Sequence, residues 1–530
     1  MEKEYIVSLN KNVNYDEVWN DIESSNSNSP YIPNRTVDIV NERPASLRNC
    51  HYALTDEEAA QMRNDPRILA VEIPPEQNPN LYIGRRYDQA GDFTKTTSDS
   101  GSYINWGIRR CIDLANPYGT GTTASGDYYY WNDGTGVDVV IQDSGIQVDH
   151  PEFNNSNGRS RVQQINWATV SGLPFTQSPN FYRDYSGHGT HVAGIAAGLT
   201  YGWARNANIY SVKVAGLEGS GDSGSGISTT YCFDCIKIWH QNKTANPATG
   251  VVRPTVVNMS WGYSGFYNTV SSVYYQGVTY TDASTTGNAT YRYSTYGIKN
   301  ISAAAYGYTY LLPVRVASVD VDVEEMIDAG IHICIAAGND QYYVCNPSDT
   351  NYQNYMVTSQ GLIYFHRGMS PHSPNCNTVG SIDISVYSAS EEYKATYSNQ
   401  GPGVNIWAPG TSIMSACSNI NQFGVGAQPY YLNSSFKQTN ISGTSMASPQ
   451  ICGLSALYLQ RNPGATVTEV KEYLQEQAGQ SARLYSTGQN YDYTNTRSLM
   501  GSPNRLAYWQ YAYLPQPVPM IIDNISMSIS

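Results

Sequence analysis

The sequence predicts an α/β protein with a smaller α+β module ahead of it, on three observations. Short runs rich in β-branched residues, Val137-Asp138-Val139-Val140-Ile141 and Ile333-Cys334-Ile335-Ala336-Ala337, read as buried strands. Stretches of small or apolar residues at helical spacing follow, at 192–198 and at Gly453, Leu454, Leu457 and Tyr458, and suit helices packed closely on a sheet. Residues 1–76 read instead as strands and helices in the order βαββαβ.

Within that module, Tyr5-Ile6-Val7-Ser8-Leu9 alternates like a strand, and Val18, Trp19 and Ile22 have helical spacing after Asn14. Extended runs follow at 36–40 and 51–54. Thr55 and Glu58 form a capping-box pattern opening a helix through Met62, and 68–73 reads as the last strand. Pro74-Pro75 and the polar stretch through Ser102 predict an exposed linker over 77–103. Ile104-Asn105-Trp106-Gly107-Ile108 then looks like the start of the large region, 104–513, with a Pro-containing tail at 514–530.

Three element ends in that region carry chemistry. The strand at 137–141 delivers Asp143 at its end, and Gly187-His188-Gly189-Thr190-His191 puts His188 in the first turn of a small-residue helix. Gly443-Thr444-Ser445-Met446-Ala447-Ser448-Pro449 places Ser445 at a glycine-led turn opening another helix. A serine hydroxyl attacks a carbonyl only when a base takes its proton, an imidazole titrates where that is feasible, and a carboxylate orients the ring. The order Asp, His, Ser belongs to one of the unrelated versions of this triad. A fourth group is Asn339, after the strand pattern ending in Ala337-Gly338, whose amide can donate to an oxyanion beside the backbone N–H of Ser445. Taken singly, each residue fits a turn, a cap or a core position. Their combination in this order is what carries weight.

The segments Asp143-Ser144-Gly145-Ile146, His188 through Gly194, Ala337-Gly338-Asn339 and Gly443 through Pro449, joined by Ala408-Pro409-Gly410, resemble those of the subtilisin-like serine proteases, the subtilases. The likeness runs from about Trp106 to about Ala465. It implies a doubly wound, mostly parallel sheet with helices on both faces, and a serine endopeptidase working through an acyl-enzyme on Ser445, with His188 as base, Asp143 as orienting acid and Asn339 in the oxyanion hole. It implies that Gly219-Ser220-Gly221 and Ser260-Trp261-Gly262 are opposite edges between which an extended polypeptide adds as a strand, with Trp261 near the pocket. It also implies that residues 1–76 are a ferredoxin-like propeptide, an intramolecular inhibitor and folding chaperone, so that the chain is a self-processing zymogen. The rival from another class is a catalytically silent binding or structural component, for instance of a virion.

Composition excludes other classes. The net charge of −13 argues against a nucleic-acid surface, and no run is apolar and long enough for a membrane span. Met1-Glu2-Lys3-Glu4-Tyr5 leads directly into the first strand without a secretory signal, which leaves extracellular by another route, cytoplasmic and virion-associated locations open, as well as a leader that this sequence does not include. No cofactor is required by the proposed chemistry, no metal ligand set stands out, and structural calcium, frequent in the family, has no acidic loop specific enough to assign. Cys232 and Cys235 follow a helical period and read as core packing, while disulfides involving Cys345 or Cys376 stay conceivable. Segments 263–312 and 342–377, rich in Tyr, Ser, Thr and Asn, read as elaborated surface loops around the substrate side.

Overall fold

The protein is described by a computed structural model covering residues 2–10, 12–41, 48–73, 93–95, 104–124, 128, 130–214, 217, 224, 227–247, 250–299, 310–359, 361–420, 427–486 and 492–510. Contacts divide the chain into one unit within residues 1–84 and another within 85–515. In the first unit, β1 (Lys3–Leu9) buries every second residue, Tyr5, Val7 and Leu9, as a half-covered strand must. Asn14 caps α1 (Tyr15–Glu23), which buries Val18 and Ile22. β2 (Ile39–Asn41), β3 (Asn49–Leu54), α2 (Asp56–Met62) and β4 (Ile68–Glu72) follow. The strands pair antiparallel in the order β2-β3-β1-β4, and both halves of the Thr55/Glu58 capping box are formed.

The second unit begins with α3 (Trp106–Cys111), capped by Asn105, and continues through β5 (Asp138–Asp143), α4 (Trp167–Ser171), α5 (His188–Ala197), β6 (Asn208–Lys213), α6 (Thr229–Gln241) and β7 (Thr255–Met259). One inserted segment adds β8 (Ser264–Tyr267), β9 (Val270–Tyr275), β10 (Val278–Tyr280), α7 (Ala283–Gly287), α8 (Ala289–Tyr296) and β11 (Tyr310–Pro313). After α9 (Ala317–Asp328) and β12 (His332–Ala336), a second insertion adds β13 (Tyr355–Thr358) and β14 (Gly361–Tyr364). The chain ends its regular structure with β15 (Asn377–Val386), β16 (Glu392–Lys394), β17 (Ile406–Pro409), β18 (Ile413–Cys417), β19 (Gln428–Tyr430), β20 (Asn433–Ile441), α10 (Thr444–Arg461) and α11 (Val467–Gln480).

The central sheet runs β16-β15-β12-β7-β5-β6, with β17 also on β15, and only the β15–β16 pair is antiparallel. Both its faces are covered. Val139 and Ile141 of β5 share a core with Val192 and Ile195 of α5 and Ile451 and Leu454 of α10. The residue between them, Val140, shares the opposite core with Cys232 and Phe233 of α6 and Val323 and Met326 of α9. This is a doubly wound, mostly parallel α/β sheet. The run reads as continuously apolar, rather than alternating, because each face meets helices.

Three expectations change. The two inserted segments are not loops. β9 pairs with β13, so the insertions join in one antiparallel sheet, β10-β9-β13-β14, with its own core of Val270, Val273, Tyr296, Met356 and Phe365. Tyr and Val favour such half-buried strands, but the pairing links segments far apart in the chain and leaves no local signature. Within the supposed exposed linker, Phe93 and Lys95 are fully buried, and Lys95 Nζ lies 4.9 Å from the Trp106 ring centre and 4.6 Å from that of Tyr118. Burial pulls the Lys95 pKa down to about 8. All nine cysteines are free, Cys345 and Cys376 included, and Cys232 and Cys235 pack in the core. Among the described residues, no helix is long and apolar enough to cross a membrane.

Candidate active site

Strand order locates the site. From β5 the chain crosses to β6 on one side and then to β7 on the other, so the order reverses between β5 and β7. A crevice opens outside the carboxyl ends of strands at such a reversal. Gln142 stands opposite Met259, and Met259 opposite Ile335, so Asp143, Ser260 and the Ala337-Gly338-Asn339 turn leave three neighbouring strands at one level.

Asp143 is buried at the end of β5 and its Oδ1 accepts from His188 Nδ1 at 2.8 Å. That contact puts the ring proton on Nδ1 and makes Nε2 the basic nitrogen of the ring. Burial opposes a charged ring, but the charge and hydrogen bond of Asp143, with Asp184 behind them, outweigh it and raise the His188 pKa above 6.5. The approach is tight. A Cβ on Gly189 would stand 2.1 Å from the Gly145 carbonyl oxygen, so only glycine lets the start of α5 meet the turn after Asp143.

Asp184 fixes that turn from below. Its Oδ1 accepts from Ser144 Oγ at 2.9 Å and Gly187 N at 2.8 Å, and its Oδ2 from Thr190 N at 2.9 Å and Thr190 Oγ1 at 2.6 Å. Ser144 Oγ in turn accepts from Gly189 N at 2.8 Å. Both peptide N–H groups flanking His188 are therefore tied to one buried cradle. Burial raises the Asp184 pKa against the pull of these hydrogen bonds, yet all four partners donate, which suits the carboxylate form.

Ser445 is the second residue of α10. Its Oγ donates to the Ser260 carbonyl at 3.1 Å, and its own carbonyl accepts from Ser260 Oγ at 2.9 Å. Pro449 makes the second bond available: an α-helical carbonyl is normally taken by the N–H four residues on, and proline has none. Asn258, in the buried strand β7, donates to Ser260 Oγ at 2.9 Å and accepts from Ser448 Oγ at 2.8 Å. Asn339 Oδ1 accepts from Thr444 N at 2.8 Å and Thr444 Oγ1 at 2.9 Å. Its oxygen is thereby committed, and its NH2 is left as the donor beside Gly443, where a Cβ would lie 3.4 Å from Nδ2.

The subtilase family model matches residues 134–501, most of the chain and the whole of this site. The chain belongs to the subtilase family. As a subtilase it is a subtilisin-like serine endopeptidase, and its sheet is the subtilisin-like one. It is 27% identical over 430 residues to an extracellular serine proteinase of Thermus sp. (strain Rt41A), covering 81% of this chain and 70% of that one. With alkaline serine exoprotease A of Vibrio alginolyticus it shares 26% identity over 457 residues, 86% of this chain and 57% of that one. The crystal structure of a cold adapted subtilisin-like serine proteinase aligns with a TM-score of 0.44 at 24% identity, covering 77% of this subtilase and 98% of that chain.

The structure brings Asp143 to His188 and, in a second group, Ser445 to Ser260, with Asn339 on Thr444. Ser445 Oγ points its hydrogen at Ser260 rather than at the ring. Of the expected substrate edges, Gly219, Ser220 and Gly221 lie outside the described residues. Trp261 is 8% exposed, edge-on to Tyr263, and Gly262 follows it against Met369. Sequence reasoning misses Asp184, Asn258 and Thr444. Asn258 leaves a signal, a lone amide in the apolar run Thr255-Val256-Val257-Asn258-Met259, where an unpaired polar group would be costly. Among the described residues, no three His, Cys, Asp or Glu side chains converge as a metal site, and no calcium ligands are assigned.

Proposed function

We propose that this subtilase hydrolyses polypeptides through an acyl-enzyme on Ser445, with His188 as general base, Asp143 as orienting acid and Asn339 as oxyanion donor. The observation that carries the reading is the 2.8 Å Asp143–His188 hydrogen bond beside a nucleophile turn tethered to the neighbouring strand. In the reaction Ser445 Oγ turns from Ser260 to His188 Nε2, gives up its proton, and bonds to the substrate carbonyl carbon. The oxyanion meets the Asn339 NH2 and the Ser445 N–H, one of the helix-opening donors without an intrahelical partner. His188 returns the proton to the departing amine, and water, deprotonated by the same ring, releases the acid. These steps use only groups of the chain, so catalysis needs no cofactor. The polypeptide would lie between the 219–221 and 260–262 edges.

The reading extends to maturation. Residues 1–76 are the propeptide, an inhibitor and folding template for a parallel sheet whose pairing is slow to form, and 77–103 holds the processing bond. Since Phe93 and Lys95 are buried in the second unit, the cut falls before them. The catalytic domain, expected over 104–513, then reaches back to include Phe93 and Lys95, and 514–530 is its tail. The name of the Thermus relative favours an extracellular location among those open.

The test compares the protein with its Ser445→Ala variant by casein hydrolysis, fluorophosphonate labelling and intact mass. Turnover, labelling and trimming in the parent alone are expected. Equal behaviour of the two proteins would sink the reading, and trimming in both would exclude self-processing.

A further inference from the structure

Met369 comes from the second insertion and is partly exposed between buried Gly368 and Ser370. A Cβ on Gly262 would stand 2.4 Å from Met369 Sδ, and a Cβ on Gly338 would stand 3.0 Å from Met369 Cε. These glycines lie beyond the ends of adjacent strands β7 and β12. Gly262 comes two residues after Ser260, which exchanges hydrogen bonds with Ser445, and Gly338 immediately precedes Asn339. One thioether therefore spans the gap between two strand ends beside the nucleophile. A side chain larger than hydrogen at Gly262 would collide with it, and one at Gly338 would crowd its methyl group.

The span is held in place. Tyr263 N donates to Ser370 O, Ser370 N to Val314 O, and Val314 N to Tyr263 O, each at 3.0 Å. Ser370 Oγ donates to Asp320 Oδ1 at 2.6 Å and accepts from Val316 N at 2.7 Å, while Arg315 Nε holds Asp320 at 2.7 Å. Met369 thus stands on an anchored backbone rather than on a free loop.

The substrate residue preceding the scissile bond carries its side chain on the carbon next to the attacked carbonyl, so that side chain must occupy space adjoining Ser445 and Asn339. We propose that Met369 closes this space and restricts the enzyme to short side chains there, such as those of Gly, Ala and Ser. The inference rests on Ser445 being the nucleophile. It makes the second insertion a determinant of specificity.

The experiment uses the purified full chain and two chromogenic peptides differing only in Ala or Phe before the scissile bond. The parent is expected to prefer Ala. Met369→Ala and Met369→Val should each shift the Ala-to-Phe ratio of kcat/KM toward Phe by about tenfold or more, since one methylene in an apolar pocket is worth roughly 10- to 200-fold. Met369→Leu, which conserves volume, should hold the ratio within about threefold. Fluorophosphonate labelling is measured on every variant. No labelling of the parent would reject the nucleophile reading itself. Labelling retained with an unmoved ratio, or a parent that prefers Phe, would overturn the role of Met369 alone, and loss of labelling in both shortened variants would reduce it to a packing residue.

Discussion

Asp184→Asn tests how much of the catalytic geometry depends on a residue that touches no substrate. The carboxylate accepts two donors on each oxygen, one backbone N–H and one hydroxyl apiece. An amide rotated either way turns its NH2 toward one such pair. The hydroxyl can reverse, but Gly187 N or Thr190 N is then buried facing a donor. An unsatisfied buried N–H costs about 1–3 kcal/mol, and the remaining bonds lose their charge-assisted strength, so we expect destabilisation of about 3 kcal/mol. Freed from one anchor, the turn carrying His188 relaxes, and a displacement on the order of 1 Å costs up to about a hundredfold in rate. Urea unfolding of the variant in a Ser445→Ala background measures the first quantity, and steady-state kinetics of the single variant the second. Since the role proposed for His188 is in the transition state, kcat should fall about 10- to 100-fold with KM little changed. Unfolding free energy and kcat both unmoved would refute the cradle; a change confined to KM would refute its link to His188.

Two further predictions concern pH. His188 has a folded pKa above 6.5, so its protonated form stabilises the fold below pH 6.5, and that contribution is lost as pH rises through the folded pKa. The proposed general base acts as the neutral ring, so activity moves the other way: kcat/KM should rise with a midpoint above 6.5, and Asp143→Asn should lower the midpoint as well as the rate, as a pH–rate profile would reveal. His150, His191 and His366 are buried and neutral, with pKa values pulled by burial down to about 4, 3 and 3. Each donates from Nε2 to backbone carbonyls, and in His150 and His366 the other nitrogen faces the donors Glu152 N and Asn354 Nδ2, where a proton would clash. Their neutral-state stability is present above 6.5 and lost as pH falls. These three protons alone, at about 1.4 kcal/mol per pH unit, contribute a slope of about 4 kcal/mol per unit below 6.5, and His240, His332 and His372, also pulled down by burial, steepen it. Urea titrations of the Ser445→Ala protein should show it, and a flat profile from pH 6.5 to about 4.5 would contradict it.

The parts legible in sequence are those written locally. Asp143, His188, Asn339 and Ser445 each sit at or just past the end of a strand or in the opening turn of a helix, within two residues of a glycine, and the chain marks those ends. Thr55 with Glu58 forms a capping box within four residues, so the pattern and the structure coincide. Asp184 is one acid in a polar stretch, and its meaning comes entirely from Ser144 and Thr190 closing around it. β9 and β13 find each other across more than eighty residues, which no period along either strand reports. Phe93 carries a signal, a lone aromatic in polar surroundings, but its burial depends on the core it enters.

The proline at 449 has an effect beyond its own helix. Because it supplies no hydrogen to the carbonyl of residue 445, that oxygen is claimed by a hydroxyl from a different part of the polypeptide, at the lip of β7. The proposed nucleophile and the backbone rim along which the bound peptide would lie are thereby tied into one piece. Thermal sway of α10 then carries both together, so the alignment between attacker and target survives motions that would otherwise spoil it.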